Sequence, residues 1–238
     1  MGSALLIALA ACGDNIHAGD HLSPFFHWRD QTQVGAAEID TLDASTDAPM
    51  LQMMPKLRHP DSVVMLYAHV PGQTVSFDTL EAVLANAQAD GLSFFTFADL
   101  AAGGYPRPGL CLSFDDDSID AWFGLGDLFA KYGAHASFFV TRYQSFTPAQ
   151  KDELQALAAA GNSIEAHGKN HIHGIGYVSA HGIEAYLKDE VIPSIEMLRA
   201  DGFDPVAFAY PYGERTNEMD DAITELVPIV RGISGTPH

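Results

Sequence analysis

From Asp61 onward the hydrophobic residues fall into two alternating patterns. Short apolar-rich runs, Val63 to Val70, Leu92 to Phe97, Leu110 to Phe114, Ala136 to Val140, Ser163 to Ala166, Val206 to Tyr210 and Val227 to Val230, predict strands, and Leu110, Cys111, Leu112 and Phe114 suit one covered on both faces. Between them lie stretches with apolar residues at helical spacing. Leu80, Val83, Leu84 and Ala87 mark a helix from Phe77 to Asp90 that Gly91 stops, and Trp122, Leu125, Leu128 and Phe129 mark one from Ile119 to Tyr132, with Ser118 as its N-cap and Gly133 at its end. Thr147-Pro148-Ala149-Gln150 is a capping box with proline at the first helical position, opening a helix through Leu154 and Leu157 to Gly161. A longer helix from Gly182 to Ala200 should kink at Pro193 and stop at Gly202, and Thr216 opens a last one. Repeated β-α units of this length predict a parallel sheet, and the number of strands favours an α/β barrel over a doubly wound sheet.

The chain before this pattern reads differently. Residues 1–12 form an apolar segment too short to span a bilayer, ending in Leu9-Ala10-Ala11-Cys12. That ending resembles a bacterial lipoprotein signal with a lipobox, which would make Cys12 an acylated anchor point; an ordinary signal remnant is the other reading, since no Lys or Arg precedes the run. Residues 13–60 show no sustained period and are read as a flexible acidic tether, with His17, His21 and His27 as surface histidines. Residues 61–238 form the folded domain. The cysteines, Cys12 and Cys111, fall in the leader and in a buried run, so no disulfide is expected.

Charge narrows the partners. With 12 basic against 31 acidic residues and a net charge of -19, the chain has no surface for neutralising phosphates, which argues against nucleic acid. A neutral or cationic polymer is the easier partner for so acidic a body.

Candidate chemistry collects where the apolar runs end. Leu110-Cys111-Leu112-Ser113-Phe114 stops on Asp115-Asp116-Asp117; the strand ending at Ala166 is followed by His167-Gly168-Lys169-Asn170-His171; the next ends in Tyr210-Pro211-Tyr212-Gly213. Taken alone, three acids are a solvated turn at a helix start, and Tyr212 is a packed aromatic. In a parallel barrel, however, these ends share one face, the face that carries ligands and chemistry. Two imidazoles and a carboxylate match a zinc-type site with an open position, and a cation on one carboxylate would relieve its repulsion with the next.

Ser113-Phe114-Asp115-Asp116-Asp117, His167 to His171 and Phe208-Ala209-Tyr210-Pro211-Tyr212-Gly213 together resemble, in order and spacing, the first three motifs of the polysaccharide deacetylases, carbohydrate esterase family four, and most closely the poly-N-acetylglucosamine deacetylase-like subgroup. The resemblance runs from about Ser62 to Arg231. It implies a distorted (β/α) barrel and a divalent metal, zinc first, held by Asp116, His167 and His171, with Asp115 as general base and the backbone N–H of Tyr212 on the oxyanion. It implies an extracytoplasmic hydrolase removing N-acetyl groups from N-acetylglucosamine units of a polysaccharide, with an O-acetyl esterase on xylan-like polymers or a silent polysaccharide-binding lipoprotein as alternatives.

Departures from the motifs carry expectations too. The glycine of the first motif is Asp117, and the Ser/Thr of the second is Gly168, so that Lys169 or Asn170 would have to hold the metal loop. The arginine of the third is Ala209, with Arg215 nearby in sequence. After Val230 nothing matches the family's last motifs, whose histidine protonates the leaving amine. A barrel incomplete at its C-terminus, an exposed apolar edge and slow turnover without an acid limb follow, unless His69 or His173 supplies the proton.

Overall fold

The computed structural model describes residues 25–27, 32–40, 42, 62–103 and 108–234. The leader with Cys12, the terminal His238 and most of the expected tether lie outside these residues. The described strands are β1 (Phe25–His27), β2 (Gln33–Glu38), β3 (Ser62–Ala68), β4 (Ser93–Phe95), β5 (Gly109–Asp116), β6 (Ser137–Val140), β7 (Ser163–Ala166), β8 (Ala207–Ala209) and β9 (Ile229–Ile233). Seven of them close a parallel ring in the order β3-β2-β9-β8-β7-β6-β5 and back to β3. The two short strands sit on the ring's lower end: β1 runs antiparallel along Ser62 to Val64, and β4 lies beside Gly109 to Cys111.

The barrel is therefore distorted but closed, and this corrects two expectations. β2 lies inside residues 13–60, which the sequence presents as tether, yet Gln33 to Ala36 pair with Val230 to Ile233, and Ala37 and Glu38 pair with Leu66 and Tyr67. Gly35, Ala36 and Ala37 have weak strand propensity and no alternation, so the segment carries no local signal; burial between two neighbours makes it a strand. By filling the place between β9 and β3, it removes the open apolar edge expected at the C-terminal side.

The apolar side chains divide between two layers, as a parallel strand buried on both faces requires. Met65, Tyr67, Cys111, Phe139, Ala207 and Ala209 point into the ring. Leu66, Leu112, Phe114, Phe138, Phe208 and Val230 point outward under the helices, of which α1 (Phe77–Ala89) buries Leu80, Val83 and Leu84. Cys111 is a free thiol inside the barrel. Two helices differ from their sequence pattern. The expected Ile119 to Tyr132 helix breaks at Gly124 into α3 (Ile119–Phe123) and α4 (Gly126–Tyr132), and Ser118 makes no side-chain cap bond. A short helix, α2 (Phe97–Ala102), follows β4 on a capping box of Thr96 and Asp99. The Thr147 capping box opens α5 (Pro148–Ala159) as expected.

α6 (Gly174–His181) is a helix that the sequence pattern does not mark, and the expected Gly182 to Ala200 helix is α7 (Ile183–Tyr186), a π-helical turn over Leu187–Val191 and α8 (Ile192–Ala200). Pro193 lacks the N–H that an α-helix would aim at the carbonyl of Asp189, and the chain answers with a π turn rather than a sharp kink. Thr216 caps α9 (Asn217–Thr224) through the backbone N–H of Met219.

Candidate active site at the C-terminal mouth of the barrel

Because all seven ring strands are parallel, their carboxyl ends open on one mouth, and the residues singled out in the sequence meet there. Along β5 alternate side chains enter the barrel, so Cys111, Ser113 and Asp115 point inward while Phe114 faces the helices. Asp116 would follow Phe114 outward, but its φ of 90° turns it onto the rim. His171 and Tyr212 also have positive φ, both 59°, as does Arg142 at 52°. Every non-glycine residue described with positive φ is thus at this mouth, and such conformations, costing roughly 1 kcal/mol or more each, persist where surrounding contacts fix them.

Asp116, His167 and His171 bring three ligand atoms within 4.8 Å of one another. The Nε2 atoms of His171 and His167 stand 3.1 and 3.6 Å from Asp116 Oδ1, yet that buried oxygen takes no hydrogen bond. Three atoms able to ligate a metal converge there. A tetrahedral ion with bonds of about 2.1 Å would set its ligand atoms roughly 3.4 Å apart, and the observed pair of distances brackets that value. His167 Nδ1 lies 2.9 Å from the carbonyl of Ala209, which can only accept, so Nδ1 carries the proton and Nε2 a lone pair. Burial pushes His167 down to about 4, keeping it neutral. Burial would raise Asp116, but the imidazole of His171, then the charges of His167, His171 and His69, hold it down at about 2. The residues present fit a divalent cation with open positions.

Asp115 is buried inside the mouth and paired through Oδ2 with Arg231 of β9, whose guanidinium is fully buried over the rings of Tyr67 and Phe139, 4.8 and 5.0 Å from their centroids. Its other oxygen, Oδ1, has no partner. This answers the loss of the third-motif arginine differently from the sequence reading. Arg215 is committed to Asp220 and Gln33, and the arginine on Asp115 comes from the last ring strand. Sequence reasoning ended that strand at Val230; a lone arginine continuing the apolar run was the overlooked signal.

The sequence reading also missed Asp40, just beyond β2. It accepts from the backbone N–H of His69 at 3.0 Å and bonds the ring at Nδ1, while Thr74 donates to its Oδ1 at 2.8 Å. Burial would depress His69, but the Asp40 hydrogen bond, then the charges of Asp115, Asp40 and Asp116, raise it to about 9. His69 is therefore an imidazolium at neutral pH, beside both site carboxylates. Glu38 joins Asp40 and His69 within 4.8 Å as a second candidate metal trio, but there a proton already bridges His69 and Asp40.

Tyr212 projects from the turn Pro211–Gly213, its ring 4.6 Å from that of His171 and stacked on His173 at 3.8 Å. Gly213 at φ 70° is obligatory, since a Cβ there would overlap Ile233. His173 is largely exposed and bonds Glu214 at 2.9 Å, away from the carboxylates that surround His69. Asp117 pairs with Arg142 at 3.1 Å and is not one of the converging groups.

Comparison with known proteins identifies the family and the fold. A family model described as polysaccharide deacetylase matches residues 102–227, more than half of the chain. No curated protein sequence matches significantly. Among solved structures, IcaB from Ammonifex degensii superposes with a TM-score of 0.54 at 17% identity, covering 68% of this chain and 85% of that one. The BpsB deacetylase domain from Bordetella bronchiseptica gives 0.49 at 16% identity, covering 65% and 84%. The Streptococcus pyogenes deacetylase PplD, in complex with acetate, gives 0.48 at 19%, covering 60% of this chain and 66% of that one. At such identities the Ammonifex likeness is one of fold, while the family match covers the strands and loops that carry the converging carboxylates and imidazoles. The chain belongs to the polysaccharide deacetylase family.

Proposed function

We propose that this protein is a metal-dependent hydrolase that removes N-acetyl groups from N-acetylglucosamine units of an extracytoplasmic polysaccharide. The observation that carries the reading is the convergence of Asp116, His167 and His171 beside a buried carboxylate, Asp115, that Arg231 holds by one oxygen and leaves free at the other. A divalent ion, zinc by its ligand set, would be held by those three residues and would supply Lewis acidity toward the acetyl carbonyl and a more acidic water.

The protein's own groups then divide the work. Asp115 Oδ1 takes the proton of the attacking water, and Arg231 orients that carboxylate from the opposite side. The backbone N–H of Tyr212 donates to the oxyanion as the carbonyl carbon becomes tetrahedral. His69, with Nδ1–H fixed on Asp40, gives its other ring proton to the departing nitrogen. Acetate and a free amine result. An amine leaves poorly unless protonated, so an acid in this place favours the amide over an ester. Action outside the cytoplasm, with Cys12 as the acylation position of a lipobox-like leader, belongs to the same proposal; among the described residues no helix is long and apolar enough to cross a membrane.

The deciding experiment measures acetate released by the purified protein from an N-acetylglucosamine oligomer, an acetylated xylan oligomer and an aryl acetate, after chelation and after zinc loading. Zinc-dependent release from the first is expected. Release chiefly from acetylxylan would move the reading to an O-acetyl esterase, and none from any substrate would leave a polysaccharide-binding protein.

A further inference from the structure

Glycine at position 168 removes the side chain that, by family resemblance, would brace the metal loop, and the structure fills that space from elsewhere. Gly168 has a φ of 78°, and a Cβ there would stand 3.5 Å from Glu190 Oε2 and 3.3 Å from Pro211 Cγ. Glu190 is 2% exposed and belongs to the π turn Leu187–Val191, whose extra residue per turn shifts the side-chain register relative to an α-helix. Its Oε2 accepts from the backbone N–H of Asn170 at 2.8 Å, its Oε1 from the Asn170 side-chain amide, and its backbone carbonyl from the N–H of Lys169 at 3.1 Å.

The loop's other bonds run the opposite way. Thr141 Oγ1 donates to the carbonyl of Gly168 at 2.9 Å, and the Arg142 N–H and Gln144 Nε2 donate to the carbonyl of Lys169 at 3.1 and 3.0 Å. Residues 141–144 thus hold the loop's acceptors and Glu190 holds its donors. Between those two clamps the chain passes from His167 to His171, whose φ of 59° turns its ring toward Asp116.

We infer that Glu190 is a positioning residue for the metal centre: through Asn170 it sets the loop conformation that presents His171. The inference rests on the proposed metal-dependent function, and it goes beyond it by naming a residue on a distant π turn as the determinant of ligand geometry.

Zinc affinity by competition with a chromophoric chelator, together with the rise in Tm on zinc addition, tests it on E190A, E190Q, N170A, E190A/N170A and H171A. E190A should weaken zinc by about 10- to 100-fold, the range of losses when a group that orients a metal ligand is removed. N170A, which keeps the backbone bond, should weaken it less, and should lose nothing further in the E190A background. E190Q should recover part of the loss, because its amide can accept from the Asn170 N–H and donate to a flipped Asn170 amide oxygen. N170A leaves Glu190 Oε1 without its donor, so its metal-free Tm should fall modestly, and zinc affinity measured on the folded protein well below that Tm should fall as well; a merely structural role would lower the Tm and leave the affinity unchanged. Should E190A fail to fold, N170A decides alone. Wild-type zinc affinity in N170A and in any folded E190A, with zinc lost from H171A, overturns the inference; zinc retained by H171A overturns the metal-site reading itself.

Discussion

Replacing Arg231 by methionine tests the heart of the site. Arg231 and Asp115 are 0% and 3% exposed, and the guanidinium lies over Tyr67 and Phe139, so water cannot take its place without repacking the barrel interior. Removing one member of a buried pair strands the other, at a typical cost of about 3–5 kcal/mol. Methionine fills similar volume, so the loss reports the pair rather than a cavity. The same pairing fixes the orientation of the Asp115 carboxylate. A base no longer held from its far side should also lose turnover on an N-acetylglucosamine oligomer by about 100-fold, the scale of loss when a reacting group is misplaced. R231K keeps a charge but loses the planar fork, and should fall between. Urea unfolding of the metal-free protein gives the first quantity, and the rate of acetate release from an N-acetylglucosamine oligomer gives the second. An R231M protein with wild-type stability and wild-type turnover would refute the assignment of Arg231 to Asp115.

Other expectations concern the neighbouring groups. H69Q should lose amide turnover by about 100-fold or more, the usual scale for a general acid, while an aryl acetate, whose leaving group needs no proton, changes far less; equal losses on both would remove His69 from the acid role. The pKa of His69 is raised to about 9 against 6.5 unperturbed, so its pairing with Asp40 stabilises the fold fully below pH 6.5 and is lost as pH rises through about 9. D40N should flatten stability over that window. D115N should retain zinc and lose turnover on the order of a hundredfold, whereas D116N should weaken zinc first, and the reverse pattern would exchange their roles. Glu165, fully buried on the N–H groups of Val206 and Ala207, is pushed up to about 8 by burial. The folded chain therefore keeps a proton that the unfolded chain releases above about 4.5, and stability falls with pH between those values; E165Q should lessen that fall in denaturant midpoints measured from pH 5 to 8.

The sequence by itself determined the candidate carboxylates and imidazoles and the architecture that gathers them. Asp115, Asp116, His167, His171 and Tyr212 follow apolar runs directly, and a parallel strand buried on both faces declares itself as such a run, so their common face is implied by local pattern alone. Capping chemistry was equally legible at Thr147 and Thr216, because a cap is satisfied within three residues. Only the tertiary structure decided what stands behind those groups. Arg231 meets Asp115 across 116 residues of chain, Asp40 meets His69 across 29, and Glu190 meets Asn170 across 20. Each of these partners depends on which strand or turn lies next to which. β2 shows why: its small residues prefer no conformation, and it becomes a strand because the places beside β9 and β3 must be filled for the ring's backbone hydrogen bonds to close. Closing the ring brings Asp40 to the mouth with His69. No local pattern could announce that, because the free energy that orders β2 comes from neighbours more than twenty residues away along the chain.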